Sequence, residues 1–110
     1  MIQDTITKIE ARLQGAENLS AEKREELAAL LAQLKAEVGE LAKTHREDAQ
    51  SIAGFAQVST HEATRAEKNP ASLEHSLAGL SASVAGFEQS HPRLVQVVNS
   101  ICTTLSNLGI

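Results

Sequence analysis

Four histidines are the residues best suited to chemistry in this sequence: His45, His61, His75 and His91. Imidazole changes charge near neutral pH and is the commonest metal ligand. If the chain folds back on itself near Lys68, His45 falls level with His91, and His61 with His75. His45 and His91 also sit on apolar stripes. They would form a polar layer in an aliphatic seam, beside Thr44, Asp48 and Ser90. Three uses of that layer compete. It can be a hydrogen-bonded layer that fixes the register of packed helices. It can be a pH-sensitive joint, because neighbouring imidazoles resist double protonation. It can be a metal site built from His45, His91 and Asp48, with His61 and His75 as further candidates. Register fixing is the plainest of the three, since nothing in the spacing makes the ligands converge.

The other reactive groups are weaker. His61-Glu62-Ala63-Thr64-Arg65 opens like the helical zinc motif H-E-x-x-H, but Arg65 stands where the second histidine belongs. His61, Glu62, Arg65, Glu67 and Lys68 read as a charged, exposed tip, with His75 close by. Cys102 adjoins Ile101 and reads as a small core residue. Lys35, opposite it in the folded-back arrangement, is the one group that would favour its thiolate. There is no G-x-S-x-G and no glycine-rich phosphate loop. The expectation is a protein without catalytic residues or cofactor.

The elements that must position these groups are helices. Of 110 residues, 42% are hydrophobic and only 2% aromatic, namely Phe55 and Phe87. Leu and Ala dominate the apolar content, and both favour helix. Ile2, Ile6, Ile9 and Leu13 make one stripe, closed by Gly15 as a C-cap, so a helix is predicted over 2–14. After Ser20, an N-cap, a second stripe runs through Leu27, Leu31, Leu34, Val38, Leu41, His45, Asp48, Ile52, Phe55, Ser59 and Glu62. It predicts one long helix over 21–67. Thr44 and Ser59 each open an S/T-x-x-E capping box, and the one at Thr44 can mark a bend. Asn69-Pro70 is a turn and helix start. The stripe Leu73, Leu77, Leu80, Val84, Phe87, His91, Leu94, Val98, Ile101, Leu105 and Leu108 follows. Pro92 divides it into helices over 70–89 and 91–108, with Ser90 as a candidate cap and Gly109 at the end.

The two long stripes match when superposed antiparallel. The fold class expected is therefore all-α: a single domain over 1–110, an antiparallel, coiled-coil-like helical hairpin with the first helix packed at its base. Two helices cannot hide a stripe from water. Ala49, Ala53, Ala56, Ala63, Ala78, Ala82 and Ala85, with Gly79 and Gly86, would let another helix approach. The expectation is that two copies pair there into a helical bundle, through Phe55, Leu80, Gly79 and Gly86. The polar tip with His61 and Arg65 is the candidate surface for an unknown protein partner.

Net charge is −4 and there is no Lys/Arg run, which argues against nucleic acid. There is no apolar stretch of transmembrane length and no signal-peptide pattern at Met1-Ile2-Gln3-Asp4, so the default location is the cytoplasm.

Three segments resemble a family of small bacterial proteins of unknown function. They are Ser59–Arg65 with Glu67-Lys68-Asn69-Pro70, Phe87-Glu88-Gln89-Ser90-His91-Pro92, and the ending Ile101-Cys102-Thr103-Thr104-Leu105-Ser106-Asn107-Leu108-Gly109. The resemblance implies a bacterial cytoplasmic origin and brings no activity or ligand. The expected function is a non-enzymatic interaction or scaffold protein acting as a homodimer. The alternative is a metal- or small-ligand-binding bundle that uses the paired histidines.

Overall fold

The computed structural model describes residues 2–108. Those residues form α1 (Ile2–Gly15), α2 (Ala21–Leu41), α3 (Arg46–Thr64), α4 (Pro70–Ser83) and α5 (Pro92–Leu108), with no strand among them. Gly109 lies outside the described residues.

α1 buries Ile6, Ile9 and Leu13, as its stripe predicts. Gly15 is not a left-handed C-cap, because its φ is not positive. Arg24 instead holds the end of α1 and the loop that follows it. Its guanidinium donates to the carbonyls of Leu13 (3.4 Å), Ala16 and Leu19 (3.3 Å) and so pins the loop into α2. Ser20 caps α2, its Oγ accepting from the Lys23 amide at 3.2 Å. Leu27, Leu31, Leu34, Val38 and Leu41 are all buried.

The expected long helix over 21–67 does not form. α2 stops at Leu41 and the chain doubles back before α3. The amides of Lys43 and Thr44 bond to Glu40 and Leu41, three residues back, which tightens and ends the helix. Thr44 and His45 are indifferent helix formers. The gain comes from packing. A helix over 21–67 would be about 70 Å long, whereas the molecule measures 37 Å along its longest axis. Folding in half lets the chain cover its own stripes. The second capping box, at Ser59, interrupts nothing.

α4 begins as expected, with Asn69 Oδ1 accepting from the Ser72 amide at 3.1 Å and Pro70 in the first turn. It ends at Ser83 rather than near residue 89. The amides of Val84 and Ala85 bond three residues back, to Ser81 and Ala82, as the helix ends, and Gly86, with a φ of 98°, then turns the backbone where other residues are strained. Pro92 is the first residue of α5 and interrupts no helix.

α2 lies between α1 and α5, while α3 packs on α1, α4 and more lightly on α2 and α5. α1 and α2 are antiparallel: Gln3 Nε2 donates to the Lys35 carbonyl (3.4 Å), and Lys35 Nζ reaches Thr7 Oγ1 (3.1 Å) and Glu10 Oε1 (3.4 Å). α3 runs beside α1 in the same direction, so that Arg12 Nε donates to Thr64 Oγ1 at 3.1 Å. Val38, Val98, Ile52 and Val84 belong to one core.

Of the stripe expected in α3, Ile52 and Ser59 are buried, whereas Asp48, Phe55 and Glu62 are not. The inner face of the helix is Ala49, Ile52, Ala53, Ala56, Ser59, Thr60, Ala63 and Thr64. Small side chains let α1 and α4 approach closely from both sides. Ala49, Ala53, Ala56 and Ala63, expected against a second copy, are thus covered by the chain itself.

Candidate functional site

Two places gather the candidate residues. The first is the end of the bundle where α2 turns into α3 and α4 into α5. Both turns bring one histidine, and Phe87 stands with them. The ring centroids are 5.3 Å apart for His45–Phe87, 5.7 Å for Phe87–His91 and 6.3 Å for His45–His91. All three pairs are edge to face, with interplanar angles of 82–86°. That is the favoured geometry for ring quadrupoles. The backbone holds the trio: the His45 amide bonds to the Leu41 carbonyl at 2.7 Å and the His91 amide to the Phe87 carbonyl at 2.8 Å. Each imidazole Nδ1 meets a neighbouring hydroxyl, Thr44 Oγ1 at 2.8 Å and Ser90 Oγ at 3.0 Å. Ser90 is thus spent on His91 and not on capping α5.

His45 is exposed and Phe87 and His91 are half-buried, so the trio is a surface joint rather than a layer inside an apolar seam. Asp48 is exposed on the next turn and lines the open groove between α3 and α4, with His45, Phe55, Gly79 and Phe87. Among the described residues, no three His, Cys, Asp or Glu side chains are grouped so as to hold a metal. His61 and His75 are both exposed and share no bond or ring contact among the described residues.

The second place is the outer face of α3. Phe55 is 39% exposed and Val58 is 49% exposed. Gly54 precedes Phe55 and stands one turn before Val58, with nothing within 4 Å of where a Cβ would stand. Beyond Val58 the face becomes basic: Lys8, Arg12 and His61 line the groove between α1 and α3. Glu62 is held at 3.0 Å by Arg65, and His61 Nε2 stands 3.9 Å from it. Toward the start of α3, Glu47 and Asp48 are exposed.

The remaining interaction candidates divide. Leu80 is fully buried in the chain's own core and leaves the set of residues open to a partner. Gly79 is covered by the Phe55 ring. Gly86 serves the turn after α4. Cys102 Sγ faces the Leu77 carbonyl at 3.9 Å, and burial pushes its thiol up from its ordinary value. Lys35, the group that would have favoured a thiolate, is engaged with α1. Sequence reasoning misses Val58 and the cap at the end of α3, where Lys68 Nζ donates to the Ala63 carbonyl. Val58 was legible in principle. A stripe of alanines at 49, 53, 56 and 63 puts it on the opposite side of the helix.

Among the described residues no helix is long and apolar enough to cross a membrane. A domain of unknown function, DUF4404, matches residues 29–110. No curated protein and no solved structure matches the chain.

Proposed function

The chain belongs to DUF4404, a domain family of unknown function, and we propose that it serves as a non-enzymatic protein-interaction module working as a helical homo-oligomer. One observation carries this reading. The chain has two phenylalanines, and one of them, Phe55, stands 39% exposed on the same helix turn as Val58. Aromatic side chains contribute the most buried area per residue and are enriched at interface cores. A chain so poor in rings that leaves one of them part-exposed gains by covering it with a partner. Of the pairing expected from the sequence, through Phe55, Leu80, Gly79 and Gly86 with the flanking alanines, this reading keeps Phe55 and moves the contact to the outward face of α3.

Light scattering and sedimentation across the micromolar range test the proposal. The expected result is a mass that rises with concentration to at least twice that of one chain. A mass of one chain throughout defeats it.

The meeting of His45 and His91 favours a second reading, a metal- or small-ligand-binding bundle. With each Nδ1 on a hydroxyl, the two Nε2 atoms would be the donors, and further ligands would come from water or a second copy. Zinc, copper or nickel should then raise the melting temperature of untagged protein, and His45→Ala should abolish the shift. No shift with any of the three metals removes this reading.

A further inference from the structure

We infer that the groove between α3 and α4 takes a basic helix from a partner protein, with a lysine or arginine of that helix at Asp48 and an apolar side chain on Phe55. The inference goes beyond self-association and does not depend on it.

Both phenylalanines of the chain line this one groove, which has a volume of about 580 Å³. Phe55 stands at one end, partly in water. Phe87 stands at the other, beside His45. Between them lies one face of α4, where Gly79, Ala82 and Ser83 fall at helical spacing. With no large side chain on that face, an incoming helix can approach closely.

Charge says what enters. Among the described residues that line the groove, Asp48 is the one with a fixed charge, and it is exposed. A second carboxylate stands at the same end, where Glu88 Oε1 accepts from the Gly86 amide at 2.8 Å. The neighbouring cations are engaged or turned elsewhere. Lys43 is paired with Glu40 at 3.0 Å. Arg93 lines the groove between α2 and α5. Arg46 precedes Asp48 by two residues, which sets it about 200° away around α3. His75, a turn before Gly79, stands outside the lining. Beyond Phe55, Glu62 is held by Arg65 at 3.0 Å. A cation at the Asp48 end therefore meets carboxylates and aromatic rings, and both attract it. An acidic segment is repelled there, and a wholly apolar one buries Asp48 unpaired.

The dimensions point to a helix. Asp48 and Phe55 lie two turns apart along α3, about 10 Å. An occupant that reaches both needs a cation and an apolar group at that separation, which is the i, i+7 spacing of an amphipathic helix. A small amine in so open a groove would stay largely in water, unlike the ligands of closed pockets. The contact expected is weakened by salt.

A designed helical peptide tests the inference. The probe carries leucine and lysine seven residues apart, and its control has glutamate for lysine. By NMR, the lysine peptide should bind the full chain at low salt and shift the amides of Gly79, Ala82 and Gly86 most. Asp48→Asn and Phe55→Ala should each weaken binding about fivefold or more. Glu47→Gln removes a carboxylate on the outer side of the same helix and should leave binding nearly unchanged. All three positions are exposed, so circular dichroism should show the variants folded. The inference is overturned if the lysine peptide fails to bind at millimolar concentration or binds no better than the glutamate control. Shifts centred outside this groove, or a loss with Glu47→Gln as large as with Asp48→Asn, also overturn it. Success on a chain that stays monomeric defeats the homo-oligomer reading and leaves this one standing.

Discussion

The ring of Phe55 lies against the backbone of Gly79, so close that a Cβ there would stand 2.6 Å from Phe55 Cδ1. The glycine makes a slot in α4 that receives a side chain from α3. Gly79→Ala adds a methyl group to that slot. The usual helix gain of about 1 kcal/mol over glycine is offset by overpacking of about 1–3 kcal/mol. The expected result is a lower denaturation midpoint, with the Phe55 ring driven further into solvent. Gly15→Ala has open space and an ordinary φ, and should instead stabilise by about 0.5–1 kcal/mol. Urea unfolding of the two variants measures the contrast. Equal effects would mean that the slot is not filled.

Ser59 offers a gain. It is fully buried, and its hydroxyl has no hydrogen-bond partner. An unpaired buried hydroxyl costs about 1–3 kcal/mol of desolvation. Ser59→Ala keeps nearly the same shape and should raise stability by about 1 kcal/mol, read as a higher melting temperature in calorimetry. A decrease would show that the hydroxyl is satisfied in solution.

The trio at the turns predicts coupling. Phe87→Ala should destabilise by about 1–3 kcal/mol, since a half-buried ring loses its area and leaves a gap. In a double-mutant cycle with His45→Ala, about 0.5–1.5 kcal/mol of that loss should be shared. Purely additive effects would mean that the two turns are not joined through these rings.

Cys102 should react slowly. Burial holds its thiol protonated, and the thiolate is the reactive form. Modification by a disulfide reagent near neutral pH should be much slower in the folded protein than in denaturant, and should accelerate as pH rises. A thiol raised in the folded state contributes stability that is complete below its unfolded value and is lost as pH climbs through the folded one. Alkaline conditions should therefore lower the melting temperature. Rapid labelling at neutral pH would contradict the burial.

Much of this fold can be read in the residues, and where it cannot, the reason is physical. Ile6, Ile9 and Leu13 in α1 and Leu27 to Leu41 in α2 are large aliphatic groups at helical spacing, and all are buried. Asn69-Pro70 has the shape of a helix start and is one. α3 was misread because alanine, serine and threonine carry little hydrophobic signal. The register through Asp48, Ile52, Phe55, Ser59 and Glu62 catches two of the buried residues, Ile52 and Ser59, and three that lie off the buried face. The break after Leu41 depends on the rest of the chain being able to cover both halves, which no local pattern records. His45 and His91 were expected level with each other and are neighbours. They meet at a pair of turns rather than along a continuous seam. His61 and His75 stand on exposed surfaces, as the polar tip expected there implies.

The side-by-side course of α1 and α3 has a kinetic consequence. The bond from Arg12 to Thr64 spans 52 residues, and α2 lies in the chain between its two ends. On the ribosome, the aliphatic groups of α1 emerge well before the alanine wall that encloses them. Until residue 64 has been made, that first helix has only α2 to lean on. The early chain is thus a sticky two-helix fragment, and its release from that state should be timed by the arrival of α3.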